Sequence, residues 1–445
     1  MTQGAHLVRR LGALDIVLIV IGSVIGSGIF RTPAVVAQRA PDTALILTAW
    51  IAGGVIALFG AFVLGELGAR RPDDCGMYAY FRDAFHPIVG FAFGWSGLLA
   101  SYSGGVAAAA VLFAGYFITL TGFTIAPAAV AAIALGILAA LNSLGVRQGA
   151  SFQNGMTILK LGAVSAIIIA GFIARPGVSP QPSVAPAASS AFGQLSIALV
   201  PVLFAYAGAT VANFMAAETK DAARVLPLGL TAGMIVVAFV YVLVNLACIR
   251  VLGVGGLAHT DVPATAVFSD VVGRTGTQIA AIAIALTTLA YMSNRLLTLP
   301  RLYHAMAADG LFFRAVAWID PRTKVPTIAV FLTALVAIVI ALSAGYGHIL
   351  NYVIAVVSAF NGLLGLALFV IRARDRASGL PDGGGFRVPL HPVSTVVFIA
   401  ASWGVAIATC VAYPIDGLMG LAIVLSAVPI YLLWKRGRVA QGARA

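Results

Sequence analysis

The chain has 445 residues, of which 61% belong to the apolar set AVILMFWYC and only 9% carry a charge. Soluble domains carry about 25% charged residues, so a water-facing globule, a disordered chain and a secreted disulfide scaffold are excluded. A polytopic membrane protein remains, and the net charge of +12 has to be explained within it.

A spanning helix needs about 20 apolar residues. Runs of that order lie near 12–30, 43–69, 88–118, 126–145, 152–174, 193–217, 226–251, 276–299, 326–344, 348–371, 393–413 and 416–434, so an all-α protein with 12 transmembrane helices is expected. The first run follows Arg9 and Arg10 as a signal peptide would, but no AxA-like cleavage site follows it. It reads as an uncleaved first helix. Inside it stands Gly22-Ser-Val-Ile-Gly26-Ser27-Gly28-Ile-Phe30. Gly22 and Gly26 form a GxxxG pair suited to close helix packing. The Gly26-Ser27-Gly28 run goes further, since it can unwind and turn backbone N–H groups toward an anion such as a carboxylate.

The third run, 88–118, is long enough to tilt; its Tyr102 and Ser103 either line a pocket or bond between helices. Lys160 stands in the middle of the fifth run. An ammonium at that depth costs on the order of 3 kcal/mol and is functional by default. Residues 175–192, rich in Pro and Ser, read as an irregular outer loop. The sixth run contains Pro201-Val-Leu-Phe204-Ala-Tyr206-Ala207-Gly208-Ala209-Thr210, where a missing N–H and a permissive glycine make a mid-span break plausible. In the eighth run Arg295 lies about one turn before the inner end and is expected in a water-filled vestibule.

Orientation follows from Lys and Arg. With the N-terminus inside, 20 of the 27 fall in cytoplasmic segments, five outside and two, Lys160 and Arg295, within spans. This positive-inside asymmetry puts both termini in the cytoplasm. It also accounts for the net charge without nucleic acid. Cys75, Cys248 and Cys410 are scattered, so neither a disulfide framework, a metal site nor a cofactor is expected.

The first and sixth of twelve spans occupy matching places in a repeat of five. Interrupted helices at matching places mark a transporter site at the membrane midplane. Free N–H groups at one half-helix end and free carbonyls at the other suit a zwitterion.

These residues resemble the amino acid–polyamine–organocation transporter superfamily. The likeness rests on Gly26–Phe30, on Gly65–Phe85, and on Phe204–Gly208 with Glu218-Thr-Lys. Arg301–Phe312 and Arg387-Val-Pro-Leu-His-Pro392 complete it. The resemblance implies a LeuT-type 5+5 inverted repeat with broken helices 1 and 6. The chain is then one transporter domain: a first repeat over 12–174, a second over 193–371, and two further helices over 393–434. The substrate-binding set it implies is Val24, Ile25, Gly26, Ser27, Gly28, Phe204, Ala207, Gly208 and Ala209. Ser27 and Gly28 hold the carboxylate, the carbonyls of Val24, Phe204 and Ala207 take the ammonium, and the Phe204 ring gates the site. Ala209 stands where many neutral-amino-acid exchangers carry Trp, which implies a roomier pocket. Lys160 fills the place of a sodium ion, tying the region of Gly22 and Ser23 to helix 8 at Ser293. Glu66 and Glu218 are expected in intracellular ion pairs.

The pocket helices hold no Asp or Glu at membrane depth, so neutral amino acids are preferred over cationic amino acids or polyamines. The lysine argues for sodium-independent exchange or proton symport. An enzyme is excluded because all six histidines lie at span ends or in loops and no nucleophile has an adjacent base. A channel would need charge rings or a filter repeat. The partners expected are an amino acid and the bilayer. Homodimerisation is compatible with this, no obligate partner subunit is expected, and the short termini fit a bacterial inner membrane.

Overall fold

The computed structural model describes residues 11–26, 28–71, 76–144, 149–175, 190–323, 325–343, 345–379 and 385–442. Among these the architecture is all-helical. The one β-type contact is an isolated parallel bridge between Leu11 and Thr219. Each of the twelve apolar runs is occupied by helix, in the order α1 (Ala13–Val24), α2 (Gly28–Ala37), α3 (Thr43–Arg70), α4 (Met77–Ala84), α5 (Pro87–Ser96), α6 (Tyr102–Thr121), α7 (Pro127–Ser143) and α8 (Gly149–Ile173). There follow α9 (Ala191–Tyr206), α10 (Ala222–Ala258), α11 (Pro263–Thr298), α12 (Pro300–Ala308), α13 (Thr327–Ser343), α14 (Tyr346–Ala377), α15 (Val393–Ala412) and α16 (Pro414–Gly442). Among the described residues eight stretches are long and apolar enough to cross a membrane, nine if α1 and α2 count as one bent span. Three shorter apolar helices, Pro127–Ser143, Ile158–Ile173 and Thr327–Ser343, fall below that length.

Local chemistry sets several boundaries. The Asp42 carboxylate accepts from the Leu45 N–H at 2.8 Å and caps α3. Pro87 opens α5, where its missing N–H is harmless. The third run is not one smooth tilted helix, because a π-helical turn over Gly97–Ser101 joins α5 to α6. The stretch between the seventh and eighth apolar runs is largely helical. α10 continues past a kink at Gly253, with φ 65° and ψ 170°. α11 begins thirteen residues before the apolar run and kinks at Gly273.

Helices approach closely where small residues face branched ones. A Cβ on Gly229 would lie 2.4 Å from Ile16, and one on Gly233 would lie 2.8 Å from Val20. The small-xxx-small pair of α10 thus receives the buried face of α1. On the periphery Ile133, Ile137 and Leu141 of α7 are each more than half exposed. Their spacing of four makes an apolar stripe that suits lipid.

Candidate transport site between two broken helices

The first break starts where Ile25, with ψ 86°, leaves the helical region after Val24. α2 then leaves at an angle of 49° to α1. Ser27 lies outside the described residues. The second break starts at Ala207, extended with ψ 139°, and passes through Gly208 at φ 136° into a 3-10 stretch, Ala209–Glu218. At that φ only glycine is unstrained. A Cβ there would also lie 2.6 Å from the Ser23 carbonyl oxygen, so the two breaks touch each other.

The end of α1 frees carbonyls that need partners, and three other helices supply them. Lys160 Nζ of α8 donates to the Gly22 carbonyl at 2.9 Å. Arg295 of α11 donates to the Ser23 carbonyl at 3.4 Å. The Tyr241 hydroxyl of α10 is 2.9 Å from the Val24 carbonyl and 3.1 Å from that of Ala205. It therefore bridges both breaks. Lys160 and Arg295 are both buried, at 1% and 5% exposure. Both stand against the Tyr291 ring, 5.9 and 5.1 Å from its centroid. That ring leaves no room for a Cβ at Gly26, which would come within 2.8 Å of it.

Between the breaks lies a cavity of about 150 Å³, a size that holds a molecule on the scale of benzene. Val24, Gly26, Gly28, Phe204, Ala207, Gly208 and Ala209 all line it. Ile25 is buried beside it. Tyr102, Thr210, Tyr291 and Arg295 are among the polar residues of the wall. The Phe204 ring packs edge-on against Tyr346, 6.3 Å between centroids.

Two expectations are corrected. Ser293 does not bond Lys160. Its hydroxyl donates to the Asn142 side chain at 3.1 Å and its carbonyl accepts from the same amide at 3.2 Å, so the contact of Lys160 with α11 is the Tyr291 ring. Arg295 is not in an open vestibule. It is 5% exposed and lines the cavity between the two breaks. Ser103 is buried and does not line the cavity. Glu66 is fully buried and accepts from Arg70, from Arg372 at 2.7 and 2.5 Å, and from the Val388 N–H at 2.7 Å. The Glu218 side chain lies outside the described residues. Tyr241, Tyr291 and Asn142 were not singled out by sequence. The one signal they offered was a polar group inside an apolar run.

A chain of apolar helices with lipid-suited faces, two of them broken around a shared cavity, is a multi-pass membrane protein of the transporter class. The chain matches the amino acid permease family over residues 11–433 and belongs to it. It is thus an amino acid transporter of the amino acid–polyamine–organocation superfamily and not an enzyme. It is 24% identical to the serine/threonine exchanger SteT of Bacillus subtilis over 441 residues, 98% of this chain and 99% of that one. With the b(0,+)-type amino acid transporter 1 of Oryctolagus cuniculus the identity is 29%, covering 82% of this chain and 76% of the relative. With the large neutral amino acids transporter small subunit 2 of Mus musculus it is 28%, covering 97% and 82%.

Proposed function

We propose that this protein carries amino acids, neutral ones in preference to cationic ones or polyamines, across a membrane by alternating access, through sodium-independent exchange or proton symport. The observation that carries the reading is the shared cavity at the two breaks, with the carbonyl ends of α1 and α9 and the N-terminus of α2 around it. A zwitterion fits such a pair of helix ends, its ammonium at the carbonyls and its carboxylate at the N–H groups. In this reading Ser27 and Gly28 take the carboxylate, and the carbonyls of Val24, Phe204 and Ala207 take the ammonium. Phe204 covers the site, while Ile25, Gly26, Gly208 and Ala209 shape it. Lys160 is the coupling cation, acting on Gly22 and not through Ser293. The nine long or bent spans together with the three shorter helices make twelve, arranged as two inverted repeats, 12–174 and 193–371, followed by 393–434.

The names of the relatives, an exchanger of serine and threonine and a transporter of large neutral amino acids, support exchange and substrates without a side-chain cation. The excess of Lys and Arg on one side supports cytoplasmic termini. One relative is named as a subunit. We propose that this chain works without such a partner, because the outer connection after the third span holds no cysteine to tether one.

The test is a thermal-shift screen of the purified protein against all twenty amino acids at two pH values, with and without sodium, followed by counterflow in liposomes. Ligand at about 100 times Kd stabilises the folded state by about 2.7 kcal/mol, so hits will stand clear of non-binders. Saturable counterflow independent of sodium is expected. Sodium-dependent uptake would overturn the coupling, and conductance well above carrier turnover would replace the carrier by a channel.

A further inference from the structure

The cavity wall carries one formal charge that zwitterion binding leaves unused. Among the described residues lining it, Arg295 is the one charged side chain, and no Asp or Glu faces it. A guanidinium stays protonated at any depth and presents five N–H donors in a fixed fork. Here a single donor is used, to the Ser23 carbonyl at 3.4 Å, at the long limit of a hydrogen bond. The rest of the group rests on the Tyr291 ring. Buried Arg70, by contrast, holds the carboxylates of both Glu66 and Asp375.

Capping a carbonyl does not require a full charge, because the adjacent Val24 carbonyl is satisfied by the neutral Tyr241 hydroxyl. Lys160, against the same ring, raises the positive charge of the region further. A buried cation without an anion is unfavourable, and a ligand that brings the anion relieves it. A carboxylate matches the arginine fork with two parallel bonds.

We infer that Arg295 reads the side chain of the substrate, and that the preferred cargo is an amino acid bearing a second carboxylate. The inference rests on the carrier reading and narrows its substrates, moving the expectation from neutral to acidic amino acids. The zwitterionic end is held by the helix termini, which leaves the Arg295 fork for the far carboxylate.

The experiment compares near-isosteric pairs, aspartate with asparagine and glutamate with glutamine, in counterflow by the full chain in liposomes and in thermal shifts. The wild-type protein is expected to favour the acid of at least one pair by tenfold or more in kcat/KM. Arg295→Gln is expected to reduce that acid-to-amide ratio at least tenfold, and Arg295→Lys to keep part of it. An equal loss for acid and amide in Arg295→Gln would overturn the inference, since the arginine would then serve the shared carboxylate or the Ser23 contact. Should the variants not fold, the wild-type ratio decides: preference for both amides overturns the inference and leaves the carrier standing. If none of the twenty amino acids moves, the carrier reading fails and takes the inference with it.

Discussion

At the end of α1, Gly22, Ser23 and Val24 each turn a carbonyl toward a side chain from a different helix, Lys160, Arg295 and Tyr241. Hydrogen bonds to charged groups contribute about 1.5–3 kcal/mol, so Lys160 fixes the position of the break rather than merely filling space. Lys160→Ala is expected to lower transport at least tenfold while the protein still elutes as a folded species. Full transport by that variant would remove the coupling role. Gly208 is a second fixed point, because its φ of 136° and its approach to the Ser23 carbonyl leave no place for a methyl group. Gly208→Ala is expected to abolish amino-acid-induced thermal shifts for every substrate alike, and an unchanged shift would mean that the breaks need not touch. Lys160 and the glycines could be read from sequence because each is out of place in an apolar helix. Tyr241 could not, since a tyrosine in such a helix is commonly a packing residue. Arg295 was seen but not placed in the cavity wall, because which helix faces meet there is decided by tertiary packing.

Elements were legible where composition changes sharply. Twelve apolar runs, and breaks signalled by Gly26-Ser27-Gly28 and by Pro201 with Gly208, need no tertiary information. Short helices packed on the bundle were hidden, because their polar faces look like loop. Residues 254–272 read as a connection, yet they form two helical pieces docked onto α2. Gln38 donates to the Ala258 carbonyl at 3.0 Å, and Arg31 pairs with Asp261 at 2.6 Å. The short helices α4 and α12 were seen only as motif stretches. Which helices pair was hidden too, and Tyr241 shows why it matters, since its one hydroxyl reaches a carbonyl of α1 and another of α9. Tyr241→Phe removes the single O–H donor that two buried carbonyls share, at about 1–3 kcal/mol for an unsatisfied group. A lower Tm and weaker substrate-induced stabilisation are expected together. A lower Tm with undiminished stabilisation would make the hydroxyl purely structural.

Over the whole molecule, α14 carries a polar cluster near each end. Asn351 bonds Arg39 at 3.2 Å and Asp416 at 2.8 Å, with His348 on the same carboxylate at 3.0 Å. Twenty-one residues later Arg372 holds Glu66, and Asp375 accepts from Arg70 and Arg71 at 2.9 and 2.7 Å. At 1.5 Å per residue the two clusters lie about 30 Å apart, a spacing that matches the thickness of the hydrocarbon core. On the carrier reading they are ties that hold opposite ends of the bundle and must yield in turn. Glu66 is the hub of the second, being fully buried and shared by Arg70 and Arg372. Glu66→Gln removes the charge both arginines face, and breaking a buried pair costs about 3–5 kcal/mol. A large drop in Tm is expected, along with faster modification of a cysteine placed at Leu364, on the cavity wall. Arg31→Ala is the control: its partner Asp261 is 84% exposed, and exposed pairs contribute about 0–1 kcal/mol. Equal effects of the two substitutions on Tm would mean that burial does not decide which tie holds the protein closed.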